Sequence, residues 1–229
     1  MLSRRVFLMT SAGAILAGCN TTRTLPPAPG TARSSAADSM PAATAFAQTD
    51  YTRIYGPRPD EPFPLPAVDI SQVDPIYYRQ RVNYATSEGP GTIIVDTPNR
   101  FLYYVEPDGK AMRYGVGIGR AGFDWGGTAR IGAKREWPKW FPPKEMRERQ
   151  PELEKYANGM EPGLNNPLGA RALYIYEGQK DTLYRVHGTP EAWSIGKAVS
   201  SGCVRMLQQD IIDLYGRVAL NSKIVVKQA

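Results

Sequence analysis

The stretch Thr92–Gly119, TIIVDTPNRFLYYVEPDGKAMRYGVGIG, decides the fold class. It holds two β-branched and aromatic runs parted by Pro98-Asn99, then the turn Pro107-Asp108-Gly109, then a third run. Residues of these types suit a pleated, half-buried surface, and Pro-Asn and Asp-Gly are turn chemistry, so a meander of antiparallel strands is expected. Further strand candidates follow at TARIGAKREW, RALYIYEG, TLYRVHGT and SKIVVKQA. The expected class is mainly β, a sandwich or barrel with one or two helices. The helical candidates are the charged KEMRERQPELEKYANG and QQDIIDLYGRVA, in which Ile211, Ile212, Leu214, Tyr215 and Val218 gather near one face despite an internal glycine.

Upstream of this core the composition changes. Residues 1–19, MLSRRVFLMTSAGAILAGC, join a positive front to a short apolar stretch and small residues before a cysteine. That is the pattern of an export signal, too short to span a membrane as a helix. Leu16-Ala17-Gly18-Cys19 is similar to a bacterial lipobox, which would make Cys19 the lipidated first residue of the mature chain, and Arg4-Arg5 resembles a twin-arginine signal. Residues 20–50 are rich in Pro, Ala, Ser and Thr without hydrophobic period and read as a disordered linker. Residues 51–91 add prolines and VDPIYYRQRVNYAT, an N-terminal arm expected to pack on the domain at 92–229. Asn20 stands where aspartate commonly retains lipoproteins in the inner membrane, so the outer one is favoured for a periplasmic, membrane-anchored protein.

The chain of 229 residues is 42% hydrophobic and 22% charged, enough for one sizeable core. Its formal charge of +6 is spread along the chain without runs of like sign, which argues against nucleic acid as a partner.

The chemistry concentrates at VHGTPEAWSIGKAVSSGCVRM, Val186–Met206. It contains the single histidine of the chain, His187, and Cys203, one of two cysteines. With Cys19 lipidated, Cys203 has no disulfide partner within the chain, in a compartment that favours disulfides. Its neighbours Ser200-Ser201-Gly202 form a small polar turn rather than an apolar face. An imidazole beside a thiol can take its proton and yield a nucleophile for carbonyl carbon. The N–H groups of Gly202 and Cys203 could then receive the oxyanion. One histidine and one available cysteine are too few for a typical zinc site, and no metal or other cofactor is expected.

His187-Gly188-Thr189 followed by Ser200-Ser201-Gly202-Cys203-Val204-Arg205-Met206 resembles the signature of the L,D-transpeptidases, the cell-wall cross-linking enzymes with the YkuD-type catalytic domain. EWPKWFPP, NNPLGARALYI and DIIDLYGRV are similar to the family as well. The resemblance covers about residues 92–227. It implies Cys203 as nucleophile, His187 as general base and later acid, Gly202 with Cys203 as the oxyanion cradle, and Ser201 as support where many members carry a second histidine. Arg205 would serve structural support or bind a substrate carboxylate, with Gly188 beside it in substrate binding. A backbone carbonyl is the expected partner orienting His187.

The implied reaction is a two-step acyl transfer through a Cys203 thioester. The donor is a peptidoglycan stem peptide that loses D-alanine. The acceptor is an amine of a second stem, giving 3-3 cross-links, or of an envelope protein. Two other readings stay open: a non-catalytic peptidoglycan-binding lipoprotein, and a cysteine peptidase or carboxypeptidase acting on the wall.

Overall fold

A computed structural model describes residues 50–119, 126–200 and 202–228. The expected signal segment with Arg4, Arg5 and Cys19, the linker up to residue 49, and Ser201 lie outside the described residues. Among them, no helix is long and apolar enough to cross a membrane.

Among the described residues eleven strands are formed, nine of them in one mixed sheet. The 92–119 stretch gives β2 (Ile93–Asp96), β3 (Phe101–Glu106) and β4 (Lys110–Gly115), an antiparallel meander, and then the short β5 (Ile118–Gly119). β1 (Gln80–Asn83) adds to the outer side of β4. A second antiparallel meander is β6 (Gly127–Glu136), β7 (Arg171–Glu177) and β8 (Lys180–Thr189). The last strand, β11 (Lys223–Lys227), joins the two, parallel to β2 and antiparallel to β6. β10 (Val204–Leu207) closes the far side, parallel to β8. β9 (Ala198–Ser200) pairs with β5 in a separate parallel pair. The sheet is thus mixed rather than a continuous antiparallel meander, because β10 and β11 arrive by crossovers that turn-residue chemistry does not reveal.

Burial explains the pairing. Ile93 and Val95, Leu173 and Ile175, Val204 and Met206, and Ile224 and Val226 recur with the two-residue period of a strand and fill one core cluster. Helix α3 (Gln208–Arg217), preceded in the chain by the short α1 (Tyr51–Ile54) and α2 (Lys144–Arg149), lays Ile211 and Leu214 onto it with Tyr215 alongside, whereas Ile212, expected on the same face, packs with Leu65 and Trp137. The other predicted helix is interrupted. Its first part is helical at Lys144–Arg149, but Pro151 cannot donate to the preceding turn, and the chain continues as a 3-10 segment at Pro151–Tyr156.

The arm does pack on the domain. Tyr55 and Val73 form a small cluster with Ile195 and Leu207, and Tyr78 sets its ring against those of Tyr51 and Tyr55. Polar contacts fix the register of this docking. The Tyr55 hydroxyl accepts from the Arg79 N–H at 2.7 Å and donates to Asp210 at 3.3 Å. The Arg79 guanidinium stands 3.6 Å from Asp210 and 3.0 Å from Asp213, and Asp213 also receives Tyr114 and Arg217. Burial pushes the Asp210 carboxyl up to about 7 against the pull of Arg79.

Removing one partner from a buried charge pair costs more than the pair contributes. Arg79→Met is therefore expected to destabilise the folded chain by about 3 kcal/mol, measured from urea midpoints at pH 7. The raised Asp210 value has a definite sign. Folded Asp210 keeps a proton that the unfolded chain releases near pH 4, so its stabilising contribution is complete below that pH and is lost as pH rises through about 7. Asp210→Asn should flatten the stability profile between those limits, and an unchanged profile would count against this assignment.

Candidate active site

The site is built on the pairing of β10 with β8. In their parallel register Val204 lies opposite Val186, Arg205 opposite His187 and Met206 opposite Gly188. Val186, Val204 and Met206 are fully buried in the core cluster, so by alternation Arg185, His187 and Arg205 face the other side of the sheet. Cys203 precedes the strand by one residue and is next in alternation from Arg205. Both Arg185 and Arg205 act electrostatically on its thiol, and the Arg185 backbone hydrogen-bonds it. Cys203 therefore lies across from Arg185 and diagonal to His187. Diagonal neighbours across a sheet stand roughly 7 Å apart, within reach of a ring side chain.

Local sequence explains each placement. On β7, Ala172 is the residue paired with His187, and its small side chain leaves the imidazole room. Gly202 has φ of +130°, a conformation that favours glycine, and a Cβ there would press on the Tyr184 ring at 3.3 Å. The turn before Cys203 accordingly needs the glycine that the sequence supplies. Cys203 is half-buried as a residue and, among the described residues, joined in no disulfide.

His187 is 95% buried, and its Nδ1 lies 2.6 Å from the carbonyl oxygen of Gly188. A carbonyl can only accept, so Nδ1 carries the proton of the neutral ring and Nε2 presents the lone pair. This is the backbone partner anticipated from the sequence, supplied by the adjacent residue. The Pro167 backbone also bears on the ring, favouring its charged form.

Electrostatics keep both groups neutral at rest. Burial, chiefly, pushes the imidazole down to about 4; the Gly188 carbonyl and the Pro167 backbone oppose the shift, while the Arg205 and Arg185 cations add to it. Burial likewise raises the Cys203 thiol, against the pull of Arg185 and Arg205. The two arginines are themselves compensated. Arg185 makes a two-pronged pair with Asp181 and lies over the Tyr174 ring at 4.1 Å, and Arg205 pairs with Glu191. Burial thus favours a thiol beside a neutral imidazole over a standing thiolate.

Of the residues singled out by sequence, His187, Gly188, Gly202, Cys203 and Arg205 are brought together in one stretch of two strands and a turn. The Arg205 backbone also bridges to Gly117 in both directions, at 2.8 and 2.9 Å, which ties the site to the segment after β4. Sequence reading missed Arg185, Glu191 and Pro167. Arg185 was findable, two residues before His187 on a strand; Pro167 was not, because its loop is distant in the chain. Among the described residues no group of three or more His, Cys, Asp or Glu side chains could hold a metal ion.

A family model described as the YkuD L,D-transpeptidase catalytic domain matches residues 90–226. The probable L,D-transpeptidase ErfK/SrfK of Escherichia coli K12 is 33% identical over 140 residues, covering 58% of this chain and 43% of that protein. The probable L,D-transpeptidase YcfS of the same strain is 32% identical over 144 residues, covering 58% and 42%. The chain spans less than half the length of these curated relatives. A crystal structure from Brucella melitensis, described as a probable carnitine operon oxidoreductase, is 47% identical and covers 69% of this chain and 99% of that one. Its TM-score is 0.48.

A neutral resting pair predicts a particular pH response. The rate of iodoacetamide alkylation at Cys203, followed by peptide-resolved mass spectrometry, should keep climbing past pH 9, since the thiol lies above its ordinary value of 9.0. A plateau already reached near neutrality would instead mean a standing thiolate.

Proposed function

Because the chain belongs to the L,D-transpeptidase family with the YkuD-type catalytic domain, we propose that it transfers acyl groups from peptidoglycan stem peptides through a thioester on Cys203. The observation that carries this reading is the strand register that sets Cys203 diagonal to His187 on one face, with Nδ1 of the ring held by a carbonyl. A nucleophile, a base in the right tautomer and a backbone partner for that base are the parts that covalent acyl transfer needs.

The steps follow from those parts. As the Cys203 sulfur attacks the carbonyl of the third stem residue, Nε2 of His187 takes the thiol proton and the ring becomes an imidazolium. The Gly188 carbonyl and the Pro167 backbone favour that charged form. The N–H groups of Gly202 and Cys203 receive the oxyanion, with the open Gly202 backbone allowing close approach. Collapse breaks the bond to D-alanine, whose amine leaves with the imidazolium proton. The thioester is then attacked by an acceptor amine, which gives its proton to His187, and that proton returns to the sulfur as the thiol is restored. Arg205, next to His187 and paired with Glu191, supports the site through that pair and the Gly117 bridge. Ser201 would support the oxyanion cradle by hydrogen bonding, and Gly188 would take part in substrate binding.

The acceptor is an amine of a neighbouring stem peptide, giving 3-3 cross-links, or of an envelope protein. The wider organisation we propose is a signal segment at 1–19 with lipidation at Cys19, a linker at 20–50, an arm at 51–91 and the catalytic domain at 92–229. The anchor would hold the domain in the periplasm, on the outer membrane. Within the domain, the Gly117–Arg205 bridge links the segment after β4 to the edge strand β10, which supports a sheet curled toward a barrel.

The test is incubation of the purified chain with disaccharide tetrapeptide and mass analysis of the products. Expected are free D-alanine and a cross-linked dimer, lost at least about a thousandfold in Cys203→Ala. Tripeptide without dimer would replace the proposal with a carboxypeptidase. Binding without any product, unchanged in Cys203→Ala, would replace it with a recognition module.

A further inference from the structure

One buried polar side chain near the site has no part in the steps above. Gln208, the first residue of α3, is almost wholly buried. Its Oε1 accepts the Ala170 N–H at 2.9 Å. Its carboxamide occupies space that two glycines leave open: a Cβ on Gly188 would stand 2.3 Å from Oε1, and one on Gly169 would stand 2.5 Å from it. Either approach is far inside van der Waals contact. Its Nε2 is buried with no hydrogen-bond partner among the described residues, a state that costs stability.

The two segments it joins are the ones that act on His187. Gly188 supplies the carbonyl bound to Nδ1, and the Pro167 backbone, three residues before Ala170, favours the charged form of the same ring. The turn carrying Pro167 is itself held by Asn166. Its Oδ1 accepts the Leu168 N–H at 2.9 Å, and its Nδ2 reaches the carbonyls of Pro138, Met160 and Glu161. Asn166 therefore fixes the shape of the turn, and Gln208 fixes the turn to the end of β8.

We propose that Gln208 is a positioning residue for His187: wedged between Gly188 and the Gly169-Ala170 turn, it keeps the Gly188 carbonyl on Nδ1 and so holds the ring in its Nδ1–H form. The inference rests on His187 acting as the base, but its main readout does not depend on turnover. His187 is the only histidine in the chain, so a uniformly 15N-labelled full chain has a single imidazole whose tautomer can be read by NMR.

Gln208→Met keeps the length of the side chain and removes the acceptor for Ala170. Gly169→Ala attacks the same wedge from the other side by displacing the carboxamide. In the wild type the ring nitrogens should report Nδ1–H alone. In either variant the Nε2–H form should appear, and kcat for dimer formation should fall roughly 10–100-fold with KM unchanged, as expected for a base misplaced by about an ångström. Gln208→Glu, which retains the acceptor, should restore the Nδ1–H signal. A folded Gln208→Met or Gly169→Ala chain with wild-type tautomer and kcat would overturn the proposal. A wild-type chain that makes no dimer, yet shows the tautomer change in the variants, would overturn the transpeptidase reading and leave the positioning role standing.

Discussion

The parallel pairing of β10 with β8 is the constraint on which the site depends. Val204 and Met206 must enter the core beside Val186, and because strands alternate, a slip of β10 by one residue would send them to the opposite face and bring Arg205 into hydrocarbon. Hydrophobic burial on one side of the sheet thus fixes reactive geometry on the other. The register is held at both sides of this strand pair, since β7 pairs with β8 along its length and the Arg205 backbone is bonded to Gly117.

The same burial that sets the geometry also sets the charge state. A site sheltered enough to exclude water from the thiol disfavours both thiolate and imidazolium. The nearby cations would shift this balance further if they were bare, but Arg185 is matched by Asp181 and Arg205 by Glu191. Each then contributes a moderated field. What remains to assist the imidazolium as it forms is the fixed dipoles of the Gly188 carbonyl and the Pro167 backbone, which need no reorganisation when the proton moves.

Much of this was readable from the residues. The strand runs of 92–119 and 171–189, the apolar face of α3, and the meeting of His187 with Cys203 all depend on local period or on neighbours in the chain. The pairing of β11 between two meanders was not readable, since every strand run there is equally apolar and nothing local states which neighbour it will have. Nor were the contacts of Glu191 with Arg205 or Pro167 with His187. Their residues are ordinary in type, and only the completed crossovers bring them close. The break in the second helix was visible in Gln150-Pro151, a signal outweighed by the charge pattern around it.

The first turn of α3 shows how such non-local precision is achieved. Gln208, Gln209 and Asp210 are consecutive polar residues, all buried, and a helix turns each about 100° from the last. Gln208 therefore reaches the turn beside His187. Gln209 reaches the Gly56 and Pro66 carbonyls of the arm at 2.9 and 3.1 Å, and Asp210 reaches Tyr55 and Arg79. Apolar side chains at these positions would bury surface without choosing a partner. Carboxamides and a carboxylate each choose one, at the cost of the unsatisfied atoms Gln208 Nε2, Gln209 Oε1 and Asp210 Oδ1. Since α3 begins where β10 ends, the helix that orders the arm also continues directly from the strand that presents Cys203, and a shift of its first turn would be felt in both places.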